Sequence, residues 1–311
     1  MPGRLRPMRA LLIVNPKATT TSARSRDVLA GALRSELDLE LGYTRRRGHA
    51  GQLARDAADA GVGLVVALGG DGTVNEVVNG LMAGPAERRP ALAVVPGGST
   101  NVFVRALGLP REWSEATGVL LQALREGRSR TIGLGLADDR YFTFCAGLGL
   151  DAAVVRRVER ARKRGRRSTA GLYLRSTVGE YFLERHRPEM VLEMPDEPDE
   201  DRLASIIVQN TAPWTFLGDR PVHPNPDASF DLGLDVLALR VLRIPSTMRT
   251  VAQILAAEGD PHGRQVLRHH DLAEFTVTSG TPQAFQLDGD YLGEREKVRF
   301  AAVPDALRVI C

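Results

Sequence analysis

The chain has 311 residues, 43% of them hydrophobic and 25% charged, with a formal net charge of +3. This composition is typical of a soluble globular protein, and the length favours two domains over one. The two cysteines, Cys145 and Cys311, are too few for a disulfide framework or a zinc site, and they fit a reducing cytoplasm.

The first 130 residues alternate apolar strands with amphipathic helices. Strands are predicted at 10–14, 39–44, 64–68 and 91–95, and helices at 22–37, 49–60, 114–126 and from 74 onwards. This alternation predicts βαβ units and a parallel sheet, in which ligands bind beyond the carboxyl ends of the strands. We therefore expect three turns to meet at that edge, at 15–17, 69–73 and 96–101, with Thr44 beside them.

The second half of the chain has a different pattern. Segments 131–137 and 141–146 are predicted as strands joined by a hairpin turn, and shorter strands follow at 190–193, 204–209, 235–242, 275–278 and 298–302. The predicted fold class is α/β, with an N-terminal parallel-sheet nucleotide-binding domain at 1–130 and a second, mainly antiparallel β-rich domain at 131–311. The apolar run at 11–14 is too short for a signal peptide or a membrane span.

The glycine-rich turn at 69–73 follows a buried strand and opens a helix. Such a turn offers backbone N–H groups to phosphate, and glycine lets phosphate oxygens approach closely. The carboxylate of Asp71 would repel phosphate unless a cation bridges the two or the carboxylate takes up a proton. Both solutions are typical of a phosphoryl-transfer enzyme. The same residues alone also suit an ordinary tight turn, and no Walker motif occurs.

Two further motifs lie in the second half. GLGLDA at 147–152 imitates a dinucleotide-binding fingerprint, but it lies outside the βαβ half, so we interpret it as a substrate-side turn. Asp288 and Asp290 flank Gly289, and placing two carboxylates together is costly unless a cation or a catalytic task employs them. An ordinary hairpin turn is the alternative. The adjacent His269 and His270 are interpreted as surface residues rather than metal ligands.

A basic segment at 156–167 holds eight basic residues and one Glu, and apolar residues follow it. It suits either a solvated helix face or attraction to anionic lipid headgroups, and the neighbouring apolar residues favour the membrane. Nucleic acid is not expected as a partner, because no aromatic stacking platform accompanies the arginines.

Together, GGDGTVNEV at 69–77, PGGSTNVFVRALGLP at 96–110, NPK at 15–17 and DGD at 288–290 resemble the diacylglycerol kinase catalytic family. These soluble bacterial lipid kinases are related to sphingosine kinases and NAD kinases. The resemblance implies a cytoplasmic, peripherally membrane-associated lipid kinase that uses ATP and Mg²⁺, most simply converting diacylglycerol to phosphatidic acid. A NAD kinase-like enzyme and a non-catalytic nucleotide-binding regulator are the alternatives. The acceptor lipid and the oligomeric state stay open, a homodimer being one expectation.

The resemblance also implies residue roles. The catalytic carboxylates would be Asp71, Asp288 and Asp290, with Asp290 as the proton acceptor at a position where the family usually has Glu. Asp71 would hold the active-site Mg²⁺, whereas Asp231 and Asp235 are what is left of a structural Mg²⁺ motif that is one residue shorter here. Contacts to ATP are implied for Asn15, Pro16, Lys17, Thr44, Gly69, Gly70, Asp71, Gly72, Thr73, Asn75, Glu76, Gly98, Ser99 and Asn101.

Overall fold

The fold is that of a computed structural model, which describes residues 7–19, 22–163, 189–195, 197–240, 242–256 and 259–311. It divides into two compact units: the first runs to Ile132 and includes Asp305–Cys311, and the second is Gly133–Pro304. The sequence had assigned all of 131–311 to the second domain. The last seven residues group with the first unit because Val309 pairs in parallel with Leu92 and the Ile310 amide donates to Leu92 O at 2.8 Å.

The first unit alternates strands and helices in chain order. Its elements are β1 (Met8–Val14), α1 (Ala23–Leu33), β2 (Leu37–Tyr43), α2 (His49–Asp59), β3 (Leu64–Gly69), α3 (Asp71–Met82), a 3₁₀ turn (Ala86–Arg88), β4 (Ala91–Pro96), α4 (Val102–Ala106) and α5 (Trp113–Glu126).

The sheet of the first unit is parallel, as predicted. Its order is β2-β1-β3-β4, followed by the end of the C-terminal strand. Every residue of β3 and of β4 is buried, because helices cover both faces of a parallel sheet and leave no polar side. The core of this unit joins the strands to the apolar sides of α1 and α5.

The second unit is rich in strands. Its elements are β5 (Arg130–Ala137, which begins in the first unit), β6 (Arg140–Phe142), β7 (Cys145–Gly149), α6 (Leu150–Lys163), β8 (Met190–Glu193), β9 (Glu200–Leu203), β10 (Ser205–Gln209), β11 (Thr215–Leu217), β12 (Arg220–Val222), β13 (Leu234–Leu239), α7 (Ile244–Ile254), β14 (Val266–Leu272), β15 (Glu274–Leu287) and β16 (Asp290–Val309, which ends in the first unit).

These strands pair mainly in antiparallel fashion, which confirms the predicted β-rich half. The strand order is β14-β13-β10-β7-β15-β16, and each neighbouring pair in this order runs antiparallel. Phe300 lies at the centre of the core, stacked on Phe275 at 5.1 Å between ring centroids and edge-on to Phe142 and Phe285.

Several predicted boundaries move. The helix expected at 22–37 ends at Leu33, because Leu37 is buried as the first residue of β2. The strand expected at 141–146 is interrupted between Phe142 and Cys145, where the backbone turns its amides to a buried carboxylate described below. The strand expected at 235–242 ends at Leu239.

The basic segment lies only partly within the described residues. Its first part belongs to α6, and residues 164–188 lie outside the described ranges, as do the apolar residues that follow the segment. Arg156 pairs with Glu294 at 3.3 Å instead of standing alone on a basic face. Among the described residues, no helix combines the length and apolar character that crossing a bilayer requires.

Glu76 of α3 caps its neighbour α2. Helix α2 has no side-chain cap from Gly48 before it, and the Glu76 carboxylate accepts from the amides of Gly48 at 2.7 Å and Ala50 at 3.2 Å. The helices approach so closely that a Cβ on Gly80 would lie 2.2 Å from Gly51 O.

Glu76→Ala should therefore lower the free energy of unfolding by about 1 kcal/mol, the usual cost of a lost helix cap. Urea denaturation followed by circular dichroism measures the change. Glu76→Gln is the matched control: it keeps an acceptor oxygen and should lose less. An unchanged midpoint for Glu76→Ala would contradict the capping role.

Candidate functional site

The loop after β1 is tied to the glycine-rich turn. The Asn15 side-chain amide donates to Thr73 Oγ1 at 2.9 Å, and the Asn15 backbone amide donates to Leu68 O at 3.1 Å. The same side chain accepts from the Lys17 amide at 3.0 Å, which folds the loop back on itself. At the neighbouring strand end, the Thr44 amide donates to Val14 O at 3.0 Å.

The loop after β4 is pressed against the same turn. The Gly97 amide donates to Gly69 O at 2.8 Å, and a Cβ on Gly98 would lie only 2.7 Å from the Gly70 Cα, so this contact needs glycine. Asn101, at a left-handed φ of 51°, fixes the loop by accepting from the Gly98 amide and donating to Gly98 O. The three turns therefore meet at one edge of the sheet, as the strand order required.

Asp71 is the first residue of α3, whose N-terminus has no side-chain cap. Its Oδ1 accepts from the Phe103 amide in the first turn of α4, at 3.1 Å. Helix N-termini carry a partial positive charge and unpaired N–H groups, which favour an ionised carboxylate and an anionic ligand alike. The carboxylate thus lies where phosphate would be attracted.

This donor set fits Mg²⁺ bound together with phosphate. Mg²⁺ is commonly held by one or two carboxylates, with substrate phosphates and water completing its octahedron. Among the described residues, no group of three His, Cys, Asp or Glu side chains is placed to hold a metal by itself. A single carboxylate at a phosphate-attracting turn matches the first arrangement.

The other residues predicted around ATP fall into two groups. Pro16, Lys17 and Ser99 are exposed on the loops, where a ligand can reach them. Asn75 is only 2% exposed, and the Asn79 side-chain amide donates to both of its oxygens, while Glu76 caps α2. The Glu76 carboxylate therefore binds the start of α2, and Asn75 is buried within α3.

Asp288 is buried and held by four donors. One carboxylate oxygen accepts from the amide and the hydroxyl of Thr143 at 2.8 and 2.9 Å, and the other accepts from the amides of Phe144 and Cys145 at 3.0 and 3.2 Å. These bonds replace a strand ladder and interrupt the run between β6 and β7. Asp290, two residues later, is partly exposed at the start of β16. The geometry therefore separates an anchoring carboxylate from a more accessible one.

Asp151 is a carboxylate that the sequence reasoning passed over. It lies in the first turn of α6 and accepts from the Gln286 side-chain amide at 2.9 Å, and Gln286 Oε1 accepts from the Gly289 amide at 2.9 Å. Burial raises the pKa of Asp151 to about 7, although the bond from Gln286 opposes the shift. The sequence feature that marks Asp151 is the glycine four residues before it in GLGLDA. A Cβ on Gly147 would lie 1.8 Å from Asp151 Oδ2, so this glycine leaves room for the carboxylate.

Asp231 and Asp235 do not fit a metal site. Asp235 is buried, and its carboxylate accepts from His270 Nδ1 at 2.9 Å and from the Asp271 amide at 3.1 Å, while Asp231 is exposed. The bond to Asp235 is the main cause that raises the pKa of His270. An imidazole and an amide, rather than a cation, therefore satisfy the buried carboxylate.

This geometry defines a class of protein, an α/β unit with two glycine-rich loops after neighbouring strands, followed by a β-rich unit. The comparisons with known proteins make this class more specific. Residues 9–137 match the family model of the diacylglycerol kinase catalytic domain, so the chain contains that domain, as the resemblance led us to expect.

Curated relatives carry kinase names. The chain is 47% identical over 103 residues to a protein of Chromohalobacter salexigens named "Probable lipid kinase YegS-like", and 45% identical over 104 residues to a diacylglycerol kinase of Bacillus subtilis. Each match covers 33% of this chain and 32% of the relative, so the chain spans about a third of the length of these relatives. A Yersinia pestis protein, also named "Probable lipid kinase YegS-like", is 33% identical over 42% of this chain and 43% of its own length.

Solved structures are similar in fold to nearly the whole chain. A crystal structure of a diacylglycerol kinase from Bacillus anthracis aligns over 97% of this chain and 96% of its own, with a TM-score of 0.70 and 20% identity. A second structure from the same organism gives a TM-score of 0.76 at 21% identity, over the same shares of the two chains. These matches show that the architecture of both units is shared.

Asp151→Asn should change how stability depends on pH. The folded protein holds the Asp151 proton up to about pH 7, whereas the unfolded chain releases it near pH 4, so ionisation costs folding free energy as the pH rises between these values. Asparagine cannot ionise and keeps an acceptor for Gln286. The midpoint temperature of the variant should therefore rise relative to wild type between pH 4 and pH 8.

Thermal unfolding at both pH values provides the measurement, with the exposed Asp59→Asn as the matched control. A constant difference between Asp151→Asn and wild type across this range would contradict the raised pKa.

Proposed function

We propose that the protein is an ATP-dependent lipid kinase that transfers the γ-phosphate to a lipid hydroxyl, with diacylglycerol as the first candidate acceptor and phosphatidic acid as the product. The observation that carries the proposal is the pair of glycine-rich loops closed against each other beside Asp71. The match to the catalytic domain supports the same reaction. Membrane association through the basic segment belongs to this proposal, because a lipid acceptor is reached at a surface.

The first unit would bind the nucleotide. The uncapped N-terminus of α3 and the backbone at Gly70 and Gly98 offer amides and close approach to the phosphates, while Asn15 and Thr44 border the same edge. Asp71 would hold Mg²⁺, which when bound neutralises charge on the β- and γ-phosphates. The Phe103 amide binds Asp71 Oδ1 and restrains the direction of this carboxylate.

The proposed reaction also needs a proton acceptor, for which Asp290 is the candidate. The lipid hydroxyl loses its proton to a carboxylate as its oxygen forms the bond to the γ-phosphorus, and the bond to the leaving ADP breaks. Asp290 suits this task better than Asp288, because the four donors on Asp288 already occupy its oxygens. Asp288 would instead hold the turn that presents Asp290.

The test is ADP release from ATP and Mg²⁺ with diacylglycerol, a sphingoid base and other neutral lipids in mixed micelles, and with NAD in parallel. We expect turnover with at least one lipid. Turnover with NAD alone would replace the proposal by a NAD kinase-like enzyme, and nucleotide binding without any turnover would replace it by a regulator.

Asp71→Asn should reduce turnover at least 10²-fold with the fold intact, because the neutral amide no longer attracts the cation that offsets phosphate charge. Steady-state ADP release measures the rate, and circular dichroism checks the fold. Asp38→Asn, a change at an exposed position of β2, is the matched control. A well-folded Asp71→Asn protein with near-normal turnover would refute the proposed role of this turn.

Asp290→Asn should cost 10²- to 10⁴-fold in kcat, the usual effect of losing a general base, with ATP affinity nearly unchanged. Asp290→Glu should retain activity. Asp288→Asn should instead lower the free energy of unfolding, by about 1 to 3 kcal/mol for donors left without acceptors. Wild-type turnover by Asp290→Asn would remove Asp290 from the mechanism, and a parallel loss of ATP affinity would indicate that it helps to hold a metal.

A further inference from the structure

Helix α6 holds the backbone on both sides of Asp290. The Tyr291 amide donates to Glu159 Oε1 at 3.1 Å. The Gly289 amide donates to Gln286 Oε1, and the Gln286 side-chain amide in turn donates to Asp151 Oδ2, both at 2.9 Å. Two acids of one helix, eight residues apart, thus hold the backbone near Asp290: Glu159 binds the N–H of the peptide that follows Asp290, and Asp151 holds, through Gln286, the N–H of the residue before it.

The contact between α6 and the β15–β16 hairpin is close. Ala152 and Ala153 pack on Ala284, and Tyr291 packs against this cluster of small residues. Further along the helix, Arg156 pairs with Glu294 at 3.3 Å and its guanidinium carbon lies 5.9 Å from the centroid of the Tyr291 ring. The small side chains at this contact allow the helix to approach the hairpin closely.

We propose that Glu159 and Asp151 are positioning residues that set the direction of the Asp290 carboxylate. The turn before Asp290 has left-handed backbone at Asp288 (φ 48°) and Gly289 (φ 78°), and the bonds at the Gly289 and Tyr291 amides tie both sides of its end to residues that lead to α6. A general base works only within hydrogen-bond reach of its proton, and a 1 Å displacement can cost about 10²-fold in rate. The proposal rests on the proposed function, in which Asp290 is the proton acceptor.

The first test compares two changes at Glu159. Glu159→Ala removes the acceptor of the Tyr291 amide and should lower kcat at least 10-fold, with KM for ATP unchanged. Glu159→Gln keeps an acceptor oxygen and should recover most of the rate. Glu294→Gln is the matched control on the same contact: it weakens the pair with Arg156 and touches neither flanking amide, so it should keep wild-type kcat. Asp151→Ala tests the second arm, with the same expected loss of kcat.

The second test asks whether the loss passes through Asp290. If Glu159 acts by placing that carboxylate, Glu159→Ala should add no further loss of kcat in the Asp290→Asn background, because effects on one acting group are not additive. A general weakening of the fold would reduce the two rates independently, so multiplicative losses would overturn the proposal. The same comparison with Asp151→Ala covers the case in which Glu159→Ala does not fold.

The outcomes separate this proposal from the proposed function. Wild-type kcat in both Glu159→Ala and Asp151→Ala, beside an inactive Asp290→Asn, would overturn the positioning roles alone. A wild-type protein that phosphorylates no lipid would refute the proposed function and the positioning roles with it.

Discussion

The loops of the first unit depend on one constraint, the contact between the backbones of Gly70 and Gly98. Strands β3 and β4 are parallel neighbours and their register runs to the pair Gly69 and Pro96, so their two following loops leave the sheet side by side. A side chain at either glycine would push these loops apart. Because both are glycine, the first turn of α4 reaches α3, and the Phe103 amide binds Asp71. The position of the Asp71 carboxylate thus depends on the close backbone contact between Gly70 and Gly98.

The second unit depends on a different element, the buried carboxylate of Asp288. Its four donors come from consecutive residues, 143 to 145, and the Asp288 amide donates back to Cys145 O at 2.8 Å. These bonds compensate the burial of a polar carboxyl group, which is costly unless each oxygen is satisfied. They also fix the turn at 288–290 to the start of β7. The backbone position of Asp290 therefore depends on the bonds of Asp288, two residues earlier. The two carboxylates that the sequence grouped together have separate environments.

The sequence predicted what depends on local patterns. The continuous apolar runs at 64–68 and 91–95 required strands buried on both faces, and the parallel sheet with its three converging turns followed from them. Contacts between a side chain and a backbone group far away in the sequence produce no local pattern from which they could be predicted. Glu76 binds an amide 28 residues away, and Asp288 binds amides more than 140 residues away. Periodicity reports which face of an element is buried, and it carries no information on which remote N–H a buried acid will meet.

GLGLDA at 147–152 shows how such a pattern misleads. Its spacing imitates a phosphate-binding fingerprint, yet Gly147 accommodates the Asp151 carboxylate and Gly149 adopts a φ of 74° to turn β7 into α6. The motif thus delivers an acid toward the hairpin that carries Asp290. The aspartate at position 290 is shorter than a glutamate by one methylene and has one fewer rotatable bond. The position of the Asp290 oxygens therefore follows the backbone more closely than the oxygens of a longer side chain would. For this reason, bonds that hold the Gly289 and Tyr291 amides have a larger effect on where the Asp290 carboxylate lies.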